Sequence, residues 1–325
     1  MKKILKRIGI VLLVLLLIDV LALGGLFLYH RILLKKEAPL REKTVGTPVT
    51  VDGGTMYVYS EGEGDQTVVF LSGYGTSSPI YDFRPLYRLL SDDFRIAVVE
   101  KFGYGFSDQT DLPRDIDTLL SETRQALAGA GIEGPFLLCP HSMSGMEALY
   151  WAQQYPEEIS GIVFSDAAIP GAYDANGYDP DAPLDKVMAW TVNLGLWRIL
   201  SPDATYPALR SSALTDEEKA VYRALYQANR GNKTLIHEAE SAGQNMAKVE
   251  AGAVPDIPMI FFTTTGYDPD HADEWCSVPD RYTNGTAENI RCDCGHYVHV
   301  ERAEEMAEAI RKTAAQIAAE KGEPT

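Results

Sequence analysis

The sequence predicts an α/β fold: a mostly parallel sheet covered by helices on both faces, a helical cap inserted late in the chain, and one apolar helix in front. Three observations predict it. Short apolar runs alternate with amphipathic stretches from residue 67 onward, the pattern of parallel strands joined by crossover helices. The alternation stops between Gly171 and Ala253, where no convincing strand pattern occurs, and then resumes. Ahead of the alternating region, Ile8–Tyr29 is a 22-residue apolar run broken only by Asp19.

That first run is long enough to cross a bilayer as a helix. A cleaved signal peptide has a shorter apolar region and a small-x-small exit, and Ala22-Leu23-Gly24 is a poor version of one, so an uncleaved anchor is expected. Lys2, Lys3, Lys6 and Arg7 precede the run, and His30, Arg31, Lys35 and Lys36 follow it. Basic residues on both sides leave little bias in orientation. The short N-terminus is expected in the cytoplasm, with the folded domain outside in a single-pass arrangement. Met1–Lys43 carries nine Lys or Arg against three Asp or Glu, a local +6 within a chain of −17, so the remainder stands at −23. Such an acidic domain repels nucleic acid and anionic headgroups, which excludes a phosphate-reading role.

A linker over 35–47 is expected next. Pro48–Val51 and Thr55–Ser60, joined by Asp52-Gly53-Gly54, read as a hairpin. Then come Thr67–Leu71 as strand, Pro79–Leu90 as helix, Arg95–Glu100 as strand and Ile116–Ala130 as helix. Pro135–Cys139, Met143–Gln154 and Gly161–Ser165 continue as strand, helix and strand. Lys186–Leu200 and Thr215–Gly231 read as helices of the insertion, the second opening on the capping box Thr215–Glu218. Met259–Thr263 and Ala287–Asp293 return to the sheet, and Glu301–Glu320 closes as a helix. The chain thus divides into an anchor over 1–34, the linker, a core from 48–170 and 254–320, and a cap over 171–253. Four cysteines make no disulfide framework in a chain of 325 residues; one bridge among Cys276, Cys292 and Cys294 is compatible with an oxidising side.

Chemistry concentrates at Pro140-His141-Ser142-Met143-Ser144-Gly145, between an apolar strand and a helix. A strand, a sharp turn with serine at its tip and a helix make a nucleophile elbow, here with Pro140 and Ser144 at the usual glycine positions. Serine needs a base within hydrogen-bonding reach, itself oriented by an acid. Of six histidines, His296 in Gly295-His296-Tyr297-Val298-His299 lies just after the last strand and is the expected base, with His299 bracing the helix start. His141, next to the serine, is expected to point away from the elbow tip. Asp166 ends its strand beside the elbow's and is favoured as the acid; Asp268, in the acidic loop 268–274, is the alternative. Backbone N–H groups of Met143 and of Tyr74, in Ser72-Gly73-Tyr74-Gly75, are the expected oxyanion donors. The Cys-x-Cys spacing of Cys292 and Cys294, with His296 and His299, fits zinc poorly, so neither metal nor cofactor is expected.

Taken together these motifs resemble the α/β-hydrolase fold superfamily over roughly residues 48–320. Ser72-Gly73-Tyr74-Gly75 is similar to its His-Gly-x-Gly loop. Glu100-Lys101-Phe102-Gly103-Tyr104-Gly105-Phe106-Ser107-Asp108 is similar to its Asp-x-x-Gly-x-Gly-x-Ser-Asp loop, with glutamate first, and Gly295-His296 matches its base motif. The resemblance implies eight strands, a helical cap, and Ser142 and His296 as nucleophile and base. It places the acid most often after the seventh strand, near Asp268, and in some haloalkane dehalogenases at the end of the sixth, the place of Asp166. Those dehalogenases use an aspartate nucleophile, so Ser142 argues against halide chemistry. The chain resembles, in particular, membrane-anchored α/β hydrolases of Gram-positive bacteria.

The expected function is that of an anchored serine hydrolase acting on carboxylic esters or related small acyl compounds, with the bilayer as its other partner. Trp190, Leu194, Trp197 and Tyr206 of the cap are candidate walls for an apolar acyl group. An aminopeptidase or amidase of the same fold, and a binding protein without activity, are the alternatives.

Overall fold

The computed structural model describes residues 2–172, 184–199, 201–265, 269–282 and 287–322. Eight strands form one sheet: β1 (Thr47–Val51), β2 (Gly54–Glu61), β3 (Thr67–Leu71), β4 (Arg95–Glu100), β5 (Phe136–Pro140), β6 (Ile159–Ser165), β7 (Met259–Thr264) and β8 (Ala287–Cys292). Their spatial order is β1-β2-β4-β3-β5-β6-β7-β8. β2 is antiparallel to both neighbours, and every other pairing is parallel. Every residue of β3, β5 and β7 is buried, as expected of parallel strands covered on both faces. Alternate residues feed two separate cores. Val69, Leu71, Leu138, Ile162 and Phe164 face one layer, while Val68, Phe70, Leu137, Cys139 and Val163 face the other.

The helices follow in chain order: α1 (Lys2–Arg41), α2 (Pro79–Asp82), α3 (Arg84–Tyr87), α4 (Ile116–Gly129), α5 (Ser144–Gln154), α6 (Leu184–Asn193), α7 (Pro202–Thr205), α8 (Asp216–Asn229), α9 (Lys233–Glu250), α10 (Ala272–Ser277), α11 (Val298–Glu301) and α12 (Ala303–Lys321). α4 and α5 cover the first layer, with Leu120, Leu127, Leu149 and Trp151 in its core. α3 and α12 cover the second through Leu86, Tyr87, Met306 and Ile310. β3 and β5 lie side by side where the strand order reverses, so the loops after them leave in opposite directions and open a crevice at their carboxyl ends.

Several element boundaries differ from the sequence expectation, each for a local reason. The helix expected over 79–90 is split into α2 and α3. Pro85 has no N–H for the carbonyl of Tyr81 and disfavours helical geometry at the residue before it. The helix expected over 186–200 ends at Asn193, because Gly195 takes a left-handed φ of +82° and leads into a 3₁₀ turn, Leu196–Arg198. The last helix is divided at Arg302 into α11 and α12. α9 has no counterpart in the sequence reading; its N-cap Asn232 accepts from the amides of Thr234 (3.0 Å) and Leu235 (3.1 Å). The capping box of α8 is formed as expected, with both reciprocal hydrogen bonds present. All four cysteines are free thiols, so no bridge joins Cys276, Cys292 and Cys294.

α1 is a candidate transmembrane helix: 40 residues, with a window of mean hydropathy 2.9 that buries nothing against the rest of the protein. It does not stop at the expected linker but continues through Pro39 to Arg41. Contacts with the cap hold this extension in place. His30 is buried, Arg198 donates from Nε to His30 Nδ1 (3.0 Å), and its two Nη atoms reach the Glu37 carboxylate at 2.5 and 2.8 Å. A bidentate, partly buried pair of this kind is geometrically selective in a way a lone surface pair is not.

A buried charged cluster ties the cap to the crevice. Lys101 Nζ, after β4, lies 3.0 Å from Glu238 on α9 and 3.5 Å from Glu147 on α5, all three being buried. Burial opposes the ammonium charge, yet the two carboxylates hold its pKa above the usual value. Lys101→Met leaves two buried carboxylates without a cation. It is expected to cost about 3–5 kcal/mol, read as a lowered urea midpoint, and a loss below about 1 kcal/mol would contradict the triad's burial.

Glu100 fills the space that Gly105 leaves. A Cβ at Gly105, where φ is +49°, would lie 2.0 Å from the Glu100 carboxylate, so only glycine fits. Complete burial pushes the Glu100 carboxyl up to about 7, against the opposing hydrogen bonds from the Phe106 and Ile80 amides. Between the unfolded carboxyl value and 7, the folded state keeps a proton that the unfolded state has released. Glu100 therefore costs stability increasingly as pH rises through this window. Stability of Glu100→Gln relative to wild type should grow by roughly 2–3 kcal/mol from about pH 5 to about pH 8. Denaturant titrations at both pH values check the sign, and a flat difference would refute it.

Candidate active site

β5 ends at Pro140, and the chain then turns sharply into α5. Ser142 sits at the tip with φ +52°, a left-handed conformation that costs a non-glycine residue energy and persists only where the surroundings impose it. They do so here. The Ser142 amide donates to Ser165 O (3.3 Å), and its carbonyl accepts from Ala168 N (2.8 Å), pinning the turn to the end of β6. Ser144, at a usual glycine position, is buried and acts as a staple: its Oγ donates to Leu71 O (2.6 Å) or His141 O (2.8 Å) and accepts from His141 N (3.0 Å). The glycine requirement falls on Gly145 instead, where a Cβ would lie 2.7 Å from Ala167 Cβ and from Ala168 O.

Ser142, His296 and Asp166 form one hydrogen-bonded line. His296 Nε2 lies 2.9 Å from Ser142 Oγ, and Nδ1 lies 2.6 Å from Asp166 Oδ2. The carboxylate accepts from Nδ1–H, which leaves Nε2 as the acceptor of the serine proton. Asp166 is fully buried at the end of β6 and has a left-handed φ of +44°. Its other oxygen accepts from Trp275 Nε1 (2.7 Å) and Thr264 N (2.9 Å), so the carboxylate is oriented from both sides. Asp268 lies outside the described residues.

The loop after β3 abuts the serine. A Cβ on Gly73 would fall 2.6 Å from Ser142 Cβ and 2.9 Å from His141 Nδ1, so this backbone can approach only as glycine. Gly75, at φ +70°, completes the turn; its carbonyl accepts from Tyr206 OH (2.9 Å), and its amide lies 3.4 Å from Tyr104 OH. Met143 N-caps α5, where a helix leaves its first amides unused by its own carbonyls.

Neighbours that the sequence reading did not assign hold the imidazole. His141 does not point away from the site as expected. It is buried with its ring 4.6 Å from that of His296, and its Nε2 lies 3.1 Å from the His296 carbonyl. A carbonyl only accepts, so His141 Nε2 carries the proton. Burial, followed by the His299 and His296 rings, lowers the His141 pKa well below the usual range and keeps it neutral. His299 lies in the first turn of α11 and ties it to the end of β6 and to α2: Ser165 Oγ lies 3.1 Å from Nδ1, and Nε2 lies 3.0 Å from Asp82 Oδ2. Asp82 Oδ1 also accepts from Tyr222 OH of α8 at 3.0 Å.

Among the described residues one group, Asp82, His141 and His299, places possible metal-ligand atoms within 4.8 Å of one another. Both His299 nitrogens and both Asp82 oxygens already have partners, so the set reads as a hydrogen-bond network. His296 and His299 face Asp166 and Asp82 rather than joining Cys292 and Cys294. Of the candidate cap walls, Tyr206 is buried against the loop after β3. Trp197 is half-buried beneath the Arg230 guanidinium, 4.2 Å from its ring, and Leu194 is half-buried. Trp190 is 62% exposed on α6, so its side chain is not an internal wall.

A family model described as the alpha/beta hydrolase family matches residues 68–309. The chain is 41% identical over 244 residues to the uncharacterized protein YbdG of Bacillus subtilis (strain 168), a match covering 73% of each. It is 30% identical over 166 residues to the cis-3-alkyl-4-alkyloxetan-2-one decarboxylase of Xanthomonas campestris pv. campestris, covering 47% of this chain and 51% of that one. An epoxide hydrolase structure from Bacillus megaterium superposes with a TM-score of 0.64 at 16% identity, over 83% of this chain and 100% of the other. A family match spanning most of the chain, on a sheet of this order, has one meaning: the chain belongs to the alpha/beta hydrolase family.

Proposed function

We propose that the protein is a membrane-anchored serine hydrolase that cleaves carboxylic esters or related acyl compounds through an acyl-enzyme intermediate. The observation that carries this is the continuous line from Ser142 Oγ through His296 to buried Asp166, at 2.9 and 2.6 Å. Ser142 Oγ attacks the acyl carbon as its proton passes to His296 Nε2. The imidazolium that forms is stabilised by Asp166, and the proton is then given to the leaving alcohol as the ester bond breaks. Water, deprotonated by the same imidazole, attacks the acyl-serine and releases the acid. The negative charge on the carbonyl oxygen is taken by the amides of Tyr74 and Met143, the one following Gly73, which abuts Ser142, and the other at the start of α5. Tyr206 is assigned as the cap wall nearest the acyl group, with Leu194 and Trp197 behind it. α1 is the anchor, with its basic N-terminus in the cytoplasm and the folded domain outside.

A fluorophosphonate probe tests the chemistry without knowledge of the natural substrate, since it reacts only with an activated serine. Folded wild-type protein is expected to be labelled at Ser142, and the heat-denatured protein and Ser142→Ala to stay unlabelled. Absence of label on folded wild type, or equal label on Ser142→Ala, would overturn the reading.

A further inference from the structure

α1 changes character at a defined point, and the cap meets it there. No residue of the apolar run Ile8–Tyr29 is buried, whereas the next residue, His30, is buried against Gly195 of the cap. A Cβ at Gly195 would lie 2.6 Å from His30 Cβ and 3.2 Å from Leu26 O, so the turn after α6 rests directly on the last apolar turn of α1. At a rise of 1.5 Å per residue the apolar run spans about 33 Å, against a hydrocarbon thickness of about 30 Å. With α1 across a bilayer, Leu26–His30 lies at the boundary between acyl chains and headgroups. The contact with Gly195 then sets the turn that follows α6 at that depth, and α6 leads directly into it.

That segment carries the wrong surface for water. Outside α1, the described residues expose only five large apolar side chains: Leu89, Val187, Trp190, Ile199 and Val254. The three most exposed, Val187 (56%), Trp190 (62%) and Ile199 (74%), all belong to the segment 187–199, whose Gly195 and Arg198 meet α1. Tryptophan favours the membrane boundary, where its ring is apolar and its N–H is wetted. Arg31, Lys35 and Lys36 are exposed on the next turns of α1 and supply positive charge at phosphate level, although the folded domain is acidic. The Arg198 fork onto Glu37 keeps the two elements from separating.

We propose that the edge of the cap formed by Val187, Trp190 and Ile199 is a membrane-docking surface, seated in the headgroup–acyl boundary of the leaflet from which α1 emerges. This rests on the reading of α1 as a membrane anchor. It means that the cap over the site stands in the lipid boundary, so acyl compounds dissolved in that leaflet meet the cap before those in water do.

The test uses the full chain reconstituted in vesicles of phosphatidylcholine and phosphatidylglycerol. An environment-sensitive fluorophore is attached in turn to Val187→Cys, Ile199→Cys, Leu17→Cys within α1, and Glu308→Cys on the exposed face of α12. The unsubstituted chain supplies the background from native thiols. Lipids carrying nitroxides at shallow or deep acyl positions are the quenchers. The expected result is deep quenching at residue 17, shallow quenching at 187 and 199, and none at 308. If residue 17 is quenched while 187 and 199 behave like 308, the docking surface is refuted and the anchor stands. If residue 17 also escapes quenching, the anchor reading fails and the docking surface falls with it. Energy transfer between copies labelled at 199 that survives lipid dilution without nitroxide quenching would assign this face to a second copy and overturn the proposal.

Discussion

Ser142→Ala is expected to lower kcat for a p-nitrophenyl ester by about 10⁵–10⁶-fold, to near the residual rate that binding and oxyanion donors alone supply. The size follows from the geometry. Without Oγ there is no covalent path, and His296 Nε2 loses the hydroxyl 2.9 Å away whose proton it would take. The loss should appear in kcat, with KM changed little, because the hydroxyl is small and the elbow is held by backbone contacts to Ser165 and Ala168 that alanine retains. Left-handed alanine is no worse than left-handed serine to a first approximation, so a thermal unfolding midpoint near wild type is expected and separates chemistry from misfolding. Activity within about tenfold of wild type would remove Ser142 from the mechanism.

The second large effect is Asp166→Asn, expected at about 10⁴-fold in kcat. The carboxylate accepts from three donors: His296 Nδ1, Trp275 Nε1 and the Thr264 amide. An asparagine can keep its oxygen toward Trp275 and Thr264, and its NH₂ then faces Nδ1. The imidazole would have to carry its proton on Nε2, the nitrogen that must accept from serine. The substitution thus reverses the tautomer while leaving the shape intact. Steady-state kinetics of Asp166→Asn and Asp268→Asn decide the acid, with Asp268→Asn expected to stay within about threefold of wild type. The opposite pattern would move the acid to the loop after β7. At more alkaline pH the asparagine variant should regain part of its rate, as hydroxide replaces general-base help.

Much of this was readable from residue order because it depends on local rules. The strands announce themselves as apolar runs between turn residues, and their limits in the sequence reading fall within a residue or two of those observed. The capping box at Thr215 is a contact over four residues and needed no tertiary knowledge. Misplaced boundaries were also local and in principle legible: Pro85 and Gly195 are breakers inside otherwise helical patterns. α9 was harder, since its buried face includes Glu238 and Asn245, polar residues that hide the apolar stripe.

The site divides along the same line. The serine and the base were named from a strand–turn–helix pattern and from a histidine after the last strand, both consequences of chain order. The partners of those groups were not. His141 was assigned a direction from its sequence position, and packing reversed it, because the His296 carbonyl offers its Nε2–H a buried acceptor. Trp275 and Thr264 orient Asp166 from 109 and 98 residues away. Trp190 looked like a pocket wall from hydrophobicity alone, and only the folded chain shows that its side chain is exposed.

By itself, then, the order of residues determined the alternation of strands and helices, the apolar first helix, the bend bearing Ser142 and the place of His296, all set by periodicity and turn chemistry within short windows. Which aspartate meets the imidazole, how the cap seats on α1, and which buried polar groups satisfy one another were decided by the folded chain. Those outcomes depend on distances between residues far apart in sequence, and such distances exist only once the sheet has brought its strand ends together.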